Sequence, residues 1–307
     1  MNPSDPENPS VIRRLDLGRV VVALRRLAGT DAPPWLHTEV AGRMAERLAL
    51  IRAKPEAVLD WWGFSGAGGP LLTQAYPAAR RLVVEPTPAL RERSAAAARQ
   101  PWWSPRRLVA AAPVSVLAPD EVAPESVQLV WANMMLHGVA DPTRVLALWH
   151  RALAVDGFVM FSCLGPDTLR ELRDLYQRLG WPPAMAEFVD MHDLGDMLVR
   201  AGFADPVMDQ ETLRLSWPSP EALLAELRGL GGNASPDRAR GLRTPRWQAR
   251  LLRELEGLRA DDGRLHLRVE VAYGHAFKVA ARAAPSTQTT VTLDEMRALV
   301  RKRDARD

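Results

Sequence analysis

The period of the hydrophobic pattern changes repeatedly along the chain. Trp35, Val40, Met44, Leu48 and Ile51 recur at helical spacing. Val58-Leu59-Asp60 then reads as a short strand running into a glycine-rich turn, and a helical stretch follows from Pro70. Further strands are expected at Leu82-Val83-Val84-Glu85, near Val114-Ser115-Val116, over Val127 to Ala132, and at Val159-Met160-Phe161, with helical segments between them. Strands alternating with helices predict a parallel sheet joined by right-handed crossovers. Near-continuous apolar strands are those of a sheet covered on both faces. The alternating run Leu265 to Phe277 reads as a late strand added to that sheet. The expected fold class is α/β, a doubly wound, mainly parallel sheet.

Residues 1–19 read as an N-terminal tail, loosest before about Val11, and residues 20–282 as one domain. A basic, flexible C-terminal tail is expected over 283–307, where Pro285-Ser286-Thr287-Gln288-Thr289-Thr290 has no apolar period. Within that tail Thr292-Leu293-Asp294-Glu295 has the form of a capping box, which predicts a short helix from Leu293 to Arg303. Between about 217 and 263 the character of the sequence changes. A helical stretch, Glu221 to Leu230, precedes Gly231-Gly232-Asn233 and then the arginine-rich run Arg238 to Arg246. This reads as a helical insertion before the last strand, lying over the edge of the site.

A chain of 307 residues, 47% of them hydrophobic, can bury a large core without staples. The formal net charge is only +3, so nucleic acid is not implied as a partner. The single cysteine, Cys163, lies in the apolar run Phe158 to Leu164 and reads as a buried, inert thiol. One cysteine allows neither a disulfide nor a Cys/His metal cluster, and no metal is expected. Met1 to Pro6 lacks the features of a signal peptide, and no apolar run approaches the roughly 18 residues of a membrane span. A cytoplasmic setting without membrane contact is expected.

In doubly wound sheets ligands bind outside the carboxyl ends of the strands where the strand order reverses. The residues ending strands one, two and four, Asp60, Glu85 and Asn133, are therefore the candidates. Asp60 leads into Trp61-Trp62-Gly63-Phe64-Ser65-Gly66-Ala67-Gly68-Gly69, where glycines such as Gly63 and Gly66 let the backbone approach a ligand. Glu85 ends the second strand 25 residues later, where a carboxylate can accept both hydroxyls of a ribose.

Several segments together resemble one family. Trp35-Leu36-His37-Thr38-Glu39-Val40, Leu129 to His137, Phe161 to Leu169, and Asp190-Met191-His192-Asp193-Leu194-Gly195-Asp196 with Ala201-Gly202-Phe203 are similar to the malonyl-acyl-carrier-protein O-methyltransferases of biotin synthesis, over nearly all of residues 20–280. The resemblance implies the seven-stranded class I methyltransferase fold and S-adenosylmethionine (SAM) as cofactor. It assigns Asp60, Gly63, Gly66, Glu85 and Asn133 to the cofactor. It further implies methyl transfer to the free carboxylate of malonyl-acyl-carrier protein, with Arg170 as first candidate to orient that carboxylate and His137 and Asn133 next. The arginines at 238, 240, 243, 246 and 250 would then steer the acidic carrier protein. Trp247 and the Trp102-Trp103 pair read as packing or interface residues, and His192 with Asp193 as a helix cap and its neighbour.

The first loop departs from the family. Its glycine positions hold Trp62 and Phe64, which predicts a crowded methionine end of the pocket. Ala118-Pro119-Asp120 is the nearest counterpart of the acidic residue that holds the adenine amino group. Two alternatives follow: a scaffold that kept the fold and lost the pocket, or an enzyme of the respiratory complex I assembly kind acting on a protein arginine, a group these segments also resemble.

Overall fold

A computed structural model describes residues 13–99 and 114–280. A helical pair, α1 (Leu17–Ala28) and α2 (Trp35–Leu48), precedes the sheet. Then follow β1 (Ala57–Trp61), the short α3 (Gly63–Gly66), α4 (Gly69–Ala75), β2 (Arg80–Val84), α5 (Pro88–Ala98), β3 (Val114–Leu117) and β4 (Val127–Ala132). The second half holds α6 (Pro142–Ala152), β5 (Leu153–Leu164), α7 (Arg170–Arg178), α8 (Met191–Arg200), β6 (Ala204–Trp217), α9 (Pro220–Gly229), α10 (Pro245–Glu256) and β7 (Leu265–Phe277). The strands form one sheet in the order β3-β2-β1-β4-β5-β7-β6. The first five pair in parallel, and β7 runs antiparallel between β5 and β6. The order reverses between β1 and β4, and this fixes where the strand ends open a crevice.

Successive residues of each central strand go to opposite faces, so one short strand feeds two cores. Leu59, Val130 and Ala132 join Trp149 of α6 and Leu198 of α8 on one side. Val58, Leu129 and Trp131 join Leu36, Val40 and Met44 of α2 on the other. A third cluster packs α7, α9 and α10 through Leu172, Leu223, Leu251 and Leu255 against Leu265 and Leu267 of β7. The insertion is thereby seated on the last strand.

Two elements differ from the sequence reading. Helix α1 begins at Leu17, inside the span expected to be tail. Asp16 caps it by accepting the Arg19 N–H at 3.1 Å. Arg13 is also buried, against carbonyls more than a hundred residues away. Strand β6 was not expected, because Asp205-Pro206 and Asp209-Gln210-Glu211 interrupt its apolar residues. It is an edge strand, exposed along one side, where a proline and polar residues cost little. The capping-box helix at Leu293 to Arg303 and the Trp102-Trp103 pair lie outside the described residues.

Phe161 on β5 is fully buried directly opposite Gly274 of β7, and its ring lies over the glycine. A Cβ at Gly274 would come within 2.5 Å of that ring. Gly274→Ala is expected to destabilise the fold by about 1–3 kcal/mol through overpacking, lowering the urea midpoint at unchanged m-value. An unchanged midpoint would show that the core can yield there.

Candidate active site

The loop leaving β1 turns sharply at Trp62, which holds the left-handed conformation with φ 57°. Glycine takes that conformation cheaply and a bulky residue rarely does. Backbone bonds keep it there: Trp62 N–H donates to the Val84 carbonyl at 2.6 Å, and the Trp62 carbonyl accepts from Gly66 N–H at 2.8 Å and from the Ser65 hydroxyl at 3.1 Å. The turn is thus made without a glycine at that position. The indole lies toward the loop after β4, 3.8 Å from where a Gly138 Cβ would stand, and the Phe64 ring lies beneath the Arg93 guanidinium at 4.0 Å. Gly63 is required for packing, since a Cβ there would come within 2.7 Å of Val83 and 3.1 Å of the Asp60 carboxyl. Gly66 has ordinary clearance, and it contributes its backbone groups.

Asp60 and Glu85 end adjacent strands and are both buried. Glu85 Oε1 accepts from the Phe64 N–H and from the Ser94 hydroxyl, each at 2.7 Å. Its Oε2 and the Asp60 Oδ1 are buried with no partner among the described residues. Burial pushes the Asp60 carboxyl up to about 6 against the pull of Arg81. Burial likewise pushes Glu85 up to about 7, outweighing its two hydrogen bonds. Two orphaned carboxylate oxygens at the ends of neighbouring strands call for a ligand rich in donors.

Asn133 is buried at the end of β4, with both amide hydrogens engaged: it donates to the His37 carbonyl at 2.8 Å and to the Gly66 carbonyl at 2.7 Å. Its Oδ1 accepts the Ser162 hydroxyl at 2.6 Å. Both amide hydrogens are thus engaged within the protein, and the side chain has no donor left over. Asn133 is a positioning residue that ties α2 and the β1 loop to the sheet.

Beside this crevice lies a cavity of about 510 Å³, walled by α1, α2, the loops after β1 and β4, and the insertion helices. His37, Trp62, Ser65 and His137 face it, whereas Asp60, Glu85 and Asn133 stand behind that wall. The two histidines carry opposite tautomers. His37 Nδ1 lies 2.8 Å from the Ser65 carbonyl, which can only accept, so Nδ1 holds the proton and Nε2 is a bare acceptor. His137 Nδ1 accepts the Leu164 N–H at 3.4 Å, so its Nε2 carries the hydrogen. Burial lowers His37 to about 4 and His137 to about 3, which keeps both neutral at pH 7. Arg13 braces the segment that carries His137: its guanidinium donates to the carbonyls of His137 at 2.7 Å, Leu136 at 3.3 Å and Val139 at 3.4 Å, and to that of Glu187.

Arg170 is corrected outright. Helix α7 turns Leu172 and Leu175 inward, and this leaves Arg170 half exposed beside Asp167 and Asp174, away from the cavity. Asp190 rather than His192 caps α8, accepting the His192 N–H at 2.8 Å. Asp120 sits in a short helical turn after β3, and Trp247 stacks near Trp181 while lining the cavity. Sequence reasoning missed Arg13, His37 and Ser162. His37 lay within a recognised segment, yet helical spacing marked only its apolar neighbours.

The sheet order, with its antiparallel seventh strand, is that of a class I methyltransferase. The YcgJ protein of Bacillus subtilis shares it at a TM-score of 0.51 and 12% identity, over 79% of this chain and 99% of that one. So does the cyclase SpnF, at a TM-score of 0.50 and 14% identity over 86% of this chain and 95% of that one. No family model matches the chain. Sequence likeness carries the assignment further. The chain is 41% identical over 272 residues to the malonyl-acyl-carrier-protein O-methyltransferase of Laribacter hongkongensis, covering 87% of this chain and 91% of the relative. It is 39% identical over 264 residues to the enzyme of the same name from Gallionella capsiferriformans, covering 84% and 89%. The protein belongs to the malonyl-acyl-carrier-protein O-methyltransferase family.

Ionising Glu85 or Asp60 costs more in the fold than in the unfolded chain. Their contribution to stability is therefore full below about pH 4 and is lost as pH rises through 6 to 7. Glu85→Gln is expected to stabilise the ligand-free protein at pH 8 by about 1–3 kcal/mol and to be nearly neutral near pH 4, measured by thermal denaturation. A lower Tm at pH 8 would mean that Oε2 already has a donor.

Proposed function

We propose that the protein transfers the methyl group of SAM to the free carboxylate of a malonyl group held on acyl-carrier protein, a step of biotin synthesis. The observation that carries this reading is the pair of orphaned carboxylate oxygens on Asp60 and Glu85, buried at the switch point behind a ligand-sized cavity. SAM fits these residues in its donors. Glu85 Oε2 suits a ribose hydroxyl, and Asp60 Oδ1 suits a buried N–H or ammonium group. When bound, SAM supplies a methyl group activated by its sulfonium charge.

The chain's own part is placement and exclusion of water. A malonyl carboxylate is already ionised near neutral pH, so no base has to remove a proton, and catalysis rests on orientation. With Arg170 outside the site, His137 takes the role of orienting the acceptor. Its Nε2–H is a neutral donor, which fixes a carboxylate while drawing less on its lone pairs than an arginine fork would. Arg13 holds His137 through its backbone, and Trp62 closes the wall between acceptor and cofactor sides. Arg240 and Arg246 on the insertion are exposed and make no ion pair among the described residues, which supports docking of an acidic carrier protein there. Among the described residues no helix is long and apolar enough to cross a membrane, and no cluster of metal-ligating side chains occurs.

The test is transfer of labelled methyl from SAM to malonyl-acyl-carrier protein, with acetyl-acyl-carrier protein as control. Label is expected on the malonyl form alone, as an ester. Glu85→Ala is expected to weaken SAM binding about tenfold or more by calorimetry. No binding by the parent chain, with binding gained in Trp62→Gly, would overturn the reading in favour of a closed pocket.

A further inference from the structure

The charge of the cavity lining is one-sided. Arg19, Arg228 and Arg243 line it, and no aspartate or glutamate does among the described residues. The two lining histidines are neutral, and most other lining residues are apolar or glycine. None of the three guanidiniums makes an ion pair among the described residues. Arg243 only stacks on Trp247, at 4.1 Å. Nearby arginines do find acids: Arg14 pairs with Asp237 at 3.1 Å, and Arg238 pairs with Asp16 at 2.5 Å. Arg228 and Arg243 are exposed and Arg19 is half-buried. The cations come from the covering elements α1 and α9 and from the segment just before α10. The histidines, Trp62 and Ser65 come from α2, from α3 and the turn into it, and from the segment after β4.

Such a lining fits a ligand that is uncharged along most of its length and carries an anion where it leaves the protein. A fatty chain would leave His37 and His137 without polar partners. A small dicarboxylate would leave the apolar walls uncovered. We propose that the cavity receives the phosphopantetheine arm of the carrier protein, with Arg19, Arg228 and Arg243 binding its phosphodiester and the malonyl thioester lying at the floor against His37, Trp62 and His137. This rests on the proposed methyl transfer and adds a site to it. Arginine is suited to the task because its fork pairs two phosphate oxygens at once. The volume of about 510 Å³ lies within the range of ligand-sized pockets.

The experiment is steady-state kinetics of the full chain with three acceptors: malonyl-acyl-carrier protein, malonyl-phosphopantetheine, and malonyl-pantetheine, which lacks the phosphate. The parent protein is expected to show a KM about tenfold lower for malonyl-phosphopantetheine than for malonyl-pantetheine, at similar kcat. Arg228→Gln with Arg243→Gln is expected to raise KM about tenfold for both acceptors that carry phosphate, so that the two small acceptors converge. Equal KM values for the two small acceptors in the parent protein would overturn the proposal. A penalty in the variant confined to malonyl-acyl-carrier protein would also overturn it, by placing these arginines against the carrier protein's own surface. If the parent protein methylates none of the three, it is the proposed activity that fails. Calorimetry with unacylated phosphopantetheine then still decides the site: binding lost in the variant supports it, and no binding by the parent protein overturns it.

Discussion

The buried amide of Asn133 is the joint on which the site depends. Through it the first turn of α2, the loop after β1 and the ends of β4 and β5 meet at one point, because His37, Gly66 and Ser162 all bond to the same side chain. The Ser162 hydroxyl also accepts the Met134 N–H at 3.1 Å, which aims the chain as it leaves β4. A buried polar group deprived of its partner costs about 1–3 kcal/mol, so none of these segments can drift without penalty. The left-handed turn at Trp62 is tolerable inside that frame, since both ends of its loop are fixed by backbone bonds.

The electrostatics around this joint are graded. Carboxyls with raised proton affinity stand behind the wall, neutral imidazoles face the cavity, and guanidiniums ring the covering helices. In the proposed reaction an acceptor anion drawn in by the outer cations would meet one uncharged donor at the floor, the Nε2–H of His137. There its lone pairs stay available, which suits a nucleophile better than a tight ion pair does. The fold alone would not imply such chemistry, since SpnF, a cyclase, shares the sheet.

Much of this was legible in the sequence because short apolar strands that end in Asp60, Glu85 and Asn133 leave little choice of topology. The insertion was legible through its change of composition, and the placing of Asp60 and Glu85 followed from the switch-point rule. What escaped had physical reasons. Strand β6 lies at an edge where polar residues are cheap, so its alternation was masked by Asp209-Gln210-Glu211. Arg13 contacts residues more than a hundred positions away, and no local period records that. Arg170 was chosen from its nearness in sequence to a recognised segment, but helical phase turned it to solvent. For Asn133, sequence reasoning found the place at the end of β4. Only the geometry reveals that its hydrogens are already engaged.

The sole cysteine, Cys163, is buried in β5 beneath this assembly, and burial raises its thiol to about 12. A thiol so protonated and enclosed is unreactive toward ordinary alkylating reagents in the native state. The natural chain is therefore already a silent background for thiol chemistry. One cysteine introduced on the exposed face of α9 or α10 would carry a dye or spin label alone, and motion of the covering helices over the cavity could be followed without first stripping the protein of its own sulfhydryl.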